Sequence, residues 1–272
     1  MPELPEVESV RSSLSVLIGA VLEPLYESSY ARFKDASTAS GMLFRVDRRG
    51  KWIVCGLRAP SHPDLDLVAH LGMTGRFLLA PAPVDVPHLH AAWSVSGGPS
   101  GVNWLAFIDP RRFGRLSLVH SGDYSTLPGL AGLGPEATDT DKATASLLAA
   151  RRSNRPVKAV LLDQTVLAGV GNIYCDEALF AARIRPDRPV SGLTPADCRR
   201  ICKALSVSLS SAIANGGTTF RDYRRPDGSS GSNRERLLCY GRVNEPCSNC
   251  KTPLSTLKVA GRTSTVCLSC QL

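Results

Sequence analysis

Seven short β-prone runs follow one another between residues 42 and 119: Met42–Val46, Trp52–Leu57, Leu65–Ala69, Arg76–Leu79, Ala92–Val95, Trp104–Ile108 and Arg115–Val119. Gly, Pro, Asp and Ser punctuate them, and no helical stretch separates one from the next. Strands spaced this closely predict an antiparallel sandwich or barrel rather than a parallel sheet with crossover helices.

Both flanks have a different period. From Leu4 to Ile18 the apolar positions Leu4, Val7, Val10, Leu14, Leu17 and Ile18 recur at three- and four-residue steps, which predicts an amphipathic helix ended by Gly19. Pro5 suits its first turn, and Glu6 and Glu8 suit the positive end of its dipole. Leu127–Asp141, rich in Gly, Pro and Thr, reads as a domain boundary. Beyond it lie helix candidates at Lys142–Arg151, Val157–Leu162 and Asn172–Ala182. A longer one opens on a capping box at Thr194-Pro195-Ala196-Asp197 and ends at Asn215-Gly216-Gly217. Residues 221–236 are polar, rich in Arg and Ser, and expected to form a mobile loop. A chain of 272 residues, 43% of them hydrophobic, suits two globular domains.

The tail carries Cys247-Ser-Asn-Cys250 and, sixteen residues later, Cys267-Leu-Ser-Cys270. Two such knuckles set four thiolates tetrahedrally around one structural Zn2+ at about 2.3 Å, with no position left for a catalytic water. The polar residues between them fit a β-hairpin. Cys55, Cys175, Cys198, Cys202 and Cys239 read as buried filler. A formal charge of +8, with Arg far outnumbering Lys, suits a polyanionic partner such as nucleic acid. No apolar run approaches the roughly 20 residues of a membrane span, and no signal peptide opens the chain. A cytoplasmic protein without membrane partners is expected.

The first residues, Met1-Pro2-Glu3-Leu4-Pro5-Glu6, allow chemistry as well as a helix start. An initiator Met before a small residue is normally removed, leaving Pro2 as a secondary amine within a helical turn of Glu3 and Glu6. An α-amino group titrates near 8, against about 10.4 for Lys, so far more of it is neutral and nucleophilic at pH 7. A secondary amine that captures an aldehyde-level carbon forms a cationic iminium, an electron sink that promotes elimination beside it. Neighbouring carboxylates can move the protons.

Further motifs point to a phosphate-bearing partner. Arg48-Arg49-Gly50-Lys51 at a strand start can grip phosphates. His70-Leu71-Gly72-Met73-Thr74-Gly75 and Asp109-Pro110-Arg111-Arg112-Phe113-Gly114 read as tight turns presenting Met73, Arg111 and Phe113. Leu167-Ala168-Gly169-Val170-Gly171-Asn172 resembles a Gly hairpin that meets phosphate at a helix N-terminus. His70 and His90 read as hydrogen-bonding residues rather than metal ligands.

Taken in order, MPELPEVE, RRGK, HLGMTG, DPRRFG, LAGVGNIY, GGTT, YGR and the CxxC…CxxC tail resemble the formamidopyrimidine-DNA glycosylase family, the bacterial base-excision-repair group that includes the endonuclease VIII type. The resemblance implies an α+β fold. Residues 1–130 would form an antiparallel β-sandwich carrying the N-terminal helix. Residues 131–237 would form a helical DNA-binding domain with a helix–two-turn–helix, and 238–272 a zinc-binding β-hairpin. It implies a glycosylase and AP lyase for oxidised purines, acting as a monomer on duplex DNA with a damaged base or abasic site, in the bacterial nucleoid. Pro2 would attack the sugar, Glu3 would transfer a proton at the ring oxygen, Glu6 would support the site, and Lys51 would complete it at a phosphate. Met73, Arg111 and Phe113 would fill the vacated stack. Asn172, Lys158 and Arg262 would contact phosphates, with His90 and Arg221 also in the DNA-binding set. Cys247, Cys250, Cys267 and Cys270 would hold the zinc.

The chain departs from the family after Gly216-Gly217-Thr218-Thr219. A Lys and, further on, a Gly followed by aromatics are normal there, but this chain has Phe220-Arg221-Asp222-Tyr223 and then Gly231-Ser232-Asn233. Arg221 keeps a cation while the aromatic anchor is missing. A preference for oxidised pyrimidines or hydantoins is the alternative within the class. A non-catalytic, zinc-dependent binder of damaged DNA is the alternative outside it, and the presence of Pro2, Glu3 and Lys51 argues against that.

Overall fold

Helix α1 (Leu4–Leu14) runs straight into a 3₁₀ turn, Ser15–Leu17, so the predicted amphipathic helix is one segment whose last turn is tighter. The computed structural model describes residues 2–33, 38–60, 62–218, 226, 229 and 231–272. Val7, Val10, Leu14 and Leu17 face inward and join the main core.

Eight strands follow: β1 (Val21–Glu27), β2 (Gly41–Arg49), β3 (Trp52–Ala59), β4 (His62–His70), β5 (Arg76–Ala80), β6 (Leu89–Ser96), β7 (Trp104–Ile108) and β8 (Arg115–His120). All pairings are antiparallel, in the order β5-β7-β6-β1-β2-β3-β4-β8. Strands β1 and β2 share only the pairs Val21↔Met42 and Leu22↔Gly41. The sheet turns at this narrow junction, and its two halves enclose one core. Ile53, Leu57, Leu67 and Leu116 come from one half, and Leu22, Trp93, Leu105 and Phe107 from the other. This is the predicted sandwich, and each of the seven predicted runs lies within a strand. Strand β1 escaped the sequence reading because it contains Pro24, bulges between Pro24 and Tyr26, and is mostly exposed.

Helices α2 (Pro128–Ala131), α3 (Thr140–Ala150), α4 (Val157–Leu161), α5 (Asn172–Ala181) and α6 (Pro195–Ala214) precede a hairpin of β9 (Ser255–Val259) and β10 (Arg262–Val266). Helix α6 begins as its sequence dictates. Asp197 N–H donates to Thr194 Oγ1 at 3.1 Å, and Thr194 N–H donates to Asp197 Oδ2 at 2.9 Å, a reciprocal cap. Its buried stripe is Cys198, Ile201, Cys202, Leu205, Leu209 and Ala212.

The chain divides into two compact units. The first holds residues 1–131 and 215–232, and the second holds 132–214 and 233–272. The described residues among 215–232 thus follow α6 in sequence but group with the sandwich. Among the described residues, no helix is long and apolar enough to cross a membrane.

Candidate active site

Pro2 is buried directly ahead of α1, and Glu3 is the N-cap of that helix, with extended backbone angles of φ −107° and ψ −172°. The Glu3 side chain takes the N–H of Glu6, while Glu3 N–H donates to Glu6 Oε2 at 2.8 Å. The other oxygen of Glu6 accepts Thr218 N–H at 2.7 Å. Gly217 permits that approach, because a Cβ there would stand 3.1 Å from both Glu6 Cγ and Oε1 at a φ of +83°. Glu3 and Glu6 are each 2% exposed. Both Glu6 oxygens are thus engaged by backbone donors. Glu6 fixes the start of α1, while Glu3 is the carboxylate next to Pro2.

Lys51 lies in the two-residue turn joining β2 and β3, where Arg49 pairs with Trp52, and it is 7% exposed. Arg48 ties this turn to α1. Its Nε donates to Glu8 Oε2 at 2.8 Å and its Nη1 donates to Gly50 O at 3.0 Å. The basic quartet read from the sequence as a phosphate grip therefore divides, with Arg48 engaged in positioning the Lys51 turn. His70, at the end of β4 opposite Trp52, accepts Gly72 N–H on Nδ1 at 3.1 Å. Burial, and then the charge of Lys51, push its pKa down to about 4, so His70 is neutral at physiological pH.

The two turns predicted to present Met73, Arg111 and Phe113 are built as one object. Gly72, at φ +60°, lies so close to the Phe113–Gly114 backbone that a Cβ would stand 2.4 Å from Phe113 C. Asp109, fully buried, holds the turns together. Its Oδ1 accepts Thr74 Oγ1–H at 2.5 Å and Arg111 N–H at 3.3 Å, and its Oδ2 accepts Gly114 N–H at 2.7 Å. Outside this frame Met73 and Phe113 are 38% and 48% exposed, and the Arg111 guanidinium lies 4.9 Å from the centroid of the Phe113 ring. Three large side chains thus converge at a surface where apolar groups have no core to fill.

His90 departs from the DNA-contact expectation. It is 2% exposed, its Nε2–H donates to Asp109 O at 3.0 Å, and its Nδ1 accepts Ser28 Oγ–H at 3.1 Å. Phe33 stacks on the ring at 4.2 Å. Burial holds His90 below the ordinary imidazole range, which keeps the neutral tautomer this arrangement needs. The residue braces Asp109 from inside and has no atom left to offer a phosphate.

In the second unit, Gln164 shapes the glycine turn before α5. Its Oε1 accepts Gly169 N–H at 2.9 Å, and its Nε2 donates to Leu162 O and Val170 O. Asn172 opens α5, donating from Nδ2 to Thr263 O at 3.2 Å. Lys158 corrects the sequence expectation most clearly. Expected on a phosphate, it is fully buried in α4, donating to Asp176 Oδ1 and Ser264 Oγ, both at 2.6 Å, and to Thr263 O at 3.2 Å. Three acceptors use all three ammonium protons. Asp176 Oδ2 then accepts Thr265 N–H at 3.0 Å, so the pair clamps β10 onto α4 and α5. Arg262 stands exposed beside the β9–β10 turn of Ala260 and Gly261, with no ion pair among the described residues.

Cys247, Cys250, Cys267 and Cys270 converge with all four sulfurs within 4.8 Å of one another. The Cys247–Cys270 and Cys250–Cys267 sulfur distances are 3.9 and 3.4 Å. A tetrahedron with metal–sulfur bonds of about 2.3 Å has edges of about 3.8 Å, so the four thiols fit one metal ion and leave no ligand position open.

Residues 1–116 match the profile of the formamidopyrimidine-DNA glycosylase N-terminal domain, and residues 133–224 match that of its H2TH domain. The formamidopyrimidine-DNA glycosylase of Thermus thermophilus is 44% identical, covering 100% of this chain and 98% of its own length. The chain belongs to the formamidopyrimidine-DNA glycosylase family. The crystal structure of the MutM (Fpg) protein from Thermus thermophilus superposes with a TM-score of 0.89 at 42% identity, covering 99% of this chain and 98% of that one. A mutant Lactococcus lactis Fpg in complex with a Fapy-dG containing DNA superposes with a TM-score of 0.85 at 30% identity, covering 99% of each chain. Membership makes the chain a DNA glycosylase of base excision repair.

Set beside the motifs of the formamidopyrimidine-DNA glycosylases, the sequence reading assigned no role to several side chains that brace the site, or assigned them a different one. Asp109, Thr74, Gln164, Asp176 and Arg48 all stand inside or beside motifs it quoted, and a buried acid in a turn rich in N–H groups was the available signal. Pro2, Glu3, Glu6, Lys51, Met73, Arg111 and Phe113 all lie in the first unit, and Asn172, Arg262 and the four cysteines in the second. Arg221 and most of the expected loop at 221–236 up to residue 230 lie outside the described residues.

Proposed function

We propose that this glycosylase releases oxidised purines, formamidopyrimidines and 8-oxoguanine among them, from duplex DNA and then cuts the strand as an AP lyase. The observation that supports the reading is Pro2, buried directly ahead of α1 and next to Glu3, whose geometry with Glu6 is fixed by the reciprocal cap of that helix. With Met1 removed, Pro2 N attacks C1′ of the damaged nucleotide, the C1′–N bond breaks, and the base leaves with its electron pair. Glu3 moves a proton at the sugar ring oxygen as the ring opens. The resulting iminium between Pro2 and C1′ acidifies the proton on C2′. Its loss expels the 3′ phosphate, and a second elimination expels the 5′ phosphate. Water then releases the sugar remnant from Pro2.

The remaining residues act around this step. Glu6 holds Glu3 in place through the Glu3 N–H. Lys51 and, in the second unit, Asn172 and Arg262 take phosphates of the damaged strand. Met73, Arg111 and Phe113 enter the stack vacated by the extruded nucleotide, offsetting an unstacking cost of a few kcal/mol. Zn2+ is the metal the four-cysteine set suits, and its part is to hold the β9–β10 hairpin that carries Arg262. The protein acts as a monomer in the bacterial nucleoid.

Borohydride trapping on an abasic-site duplex tests the chemistry: wild type forms a covalent adduct, and peptide mapping places it on the Pro2 nitrogen. An adduct mapped to a lysine side chain would rule out the Pro2 amine. Single-lesion duplexes test the substrate, with 8-oxoguanine and formamidopyrimidine cut at least tenfold faster than oxidised pyrimidines. Equal cutting would sink the purine assignment.

A further inference from the structure

Within the second unit, on the outer side of α6, lies a concavity of about 350 Å³ that the chemistry above does not use. Arg200, Lys203, Ala204, Val207, Ser208 and Ser211 recur along α6 at three- and four-residue steps and form one wall, and the C-terminal half of α5 with residues 233 and 236–238 form the rest. Val207 and Leu238 line it at 62% and 42% exposure. A single exposed apolar side chain needs no explanation, but two converging on one hollow of ligand size are the composition of a binding surface.

Its charge has one sign. Lys203 and Arg236 are exposed and make no ion pair among the described residues. Arg200 is fixed at the junction by bonds to Asp197 Oδ1 at 2.7 Å and Ala182 O at 2.9 Å. The one carboxylate in the lining, Glu177, is turned inward, accepting the N–H groups of Leu238, Cys239 and Tyr240 at 2.8–2.9 Å. An occupant therefore meets an apolar floor with a cationic rim and no competing acid.

Duplex DNA is a poor match. Its phosphates would satisfy Lys203 and Arg236 but leave Val207 and Leu238 against a hydrated backbone. Asn172 opens α5, about 7 Å along the helix from Glu177 and about 13 Å from Ala181 at 1.5 Å per residue. A peptide can satisfy both features at once, as amphipathic segments do in basic, apolar grooves.

We propose that this groove docks an acidic segment of a partner protein, which seats a large apolar side chain between Val207 and Leu238 while its carboxylates pair with Lys203 and Arg236. The groove shares no residue with those assigned to the chemistry above, so the two readings stand or fall independently.

The test is selection of random displayed peptides on the intact protein, followed by fluorescence anisotropy of the enriched sequences. Enriched peptides are expected to carry Asp or Glu flanking Leu, Ile or Phe. Val207→Glu and the double variant Lys203→Glu/Arg236→Glu should each weaken them by roughly tenfold or more, with cutting of a lesion duplex unchanged. The proposal is overturned if nothing enriches, if the enriched peptides lack acids, or if the variants bind them as well as wild type does. Displacement of the peptide by undamaged duplex would overturn it too, by making the groove a DNA surface.

Discussion

Thr74 and Asp109 stand 35 positions apart in sequence and 2.5 Å apart between Thr74 Oγ1 and Asp109 Oδ1. That bond, with those from Asp109 to Arg111 N–H and Gly114 N–H, makes one rigid support from two turns on different strand connections. Met73 comes from one turn, and Arg111 and Phe113 from the other, so their spacing is only as good as the lock. Thr74→Val keeps the shape and removes the donor, a loss of about 1.5–3 kcal/mol for a hydrogen bond to a charged group. Base release from an intact lesion duplex is expected to slow by about tenfold or more. Cleavage of a preformed abasic site, which needs less extrusion work, should change much less. Single-turnover rates on the two substrates measure the split, and equal slowing of both would place Thr74 in general stability instead.

The histidines make stability depend on acid. The folded-state pKa of His70 is about 4, below its ordinary 6.5, and that of His90 is also lowered by burial. Between these values the unfolded chain binds more protons than the folded one, so stability is full above about pH 6.5 and falls as pH drops toward 4. For His70 the slope approaches about 1.4 kcal/mol per pH unit over that window. Denaturant midpoints measured from pH 7.5 to 4.5 should decline, and His70→Gln should flatten part of the decline. An unchanged slope in that variant would contradict a buried, neutral His70.

Metal removal separates a structural centre from a catalytic one. Cys250→Ser or a strong chelator should release one zinc per chain, melt the β9–β10 hairpin and weaken duplex binding through the loss of Arg262. Elemental analysis beside a binding titration checks this. Full duplex affinity in metal-free protein would show that the hairpin does not need the ion.

What the sequence disclosed follows from which physical signals are local. Strand runs, the α1 stripe, the Thr194–Asp197 cap and the cysteine knuckles are written in neighbouring residues, and each appears where expected, except that the stripe stops at Leu17 and leaves Ile18 exposed. Strand β1 was illegible because its pairing with β6 compensates for a proline and poor alternation, which only the partner strand reveals. The partners of His90 and Lys158 were hidden for a related reason. A polar side chain looks the same in sequence whether it meets solvent or a buried partner, and Ser28 and Asp176 are 62 and 18 positions away. Their burial is a tertiary fact that local pattern does not encode.

Lys158 yields the sharpest contrast between positioning and contact. With Asp176 it forms a fully buried ion pair, so Lys158→Met leaves an uncompensated carboxylate and should destabilise the second unit by about 3–5 kcal/mol. Pairing it with Asp176→Leu removes the stranded charge and should recover much of that loss. Duplex affinity of Lys158→Met is expected to fall, because β10 and Arg262 lose their anchor, but each change has a different signature in salt. Arg262→Ala, which removes the proposed phosphate contact, should lower the slope of log affinity against log salt by about one. The Lys158→Met/Asp176→Leu pair, which keeps Arg262 in place, should leave the slope at the wild-type value. A slope reduced by one in that double variant would mean that Lys158 reaches a phosphate after all.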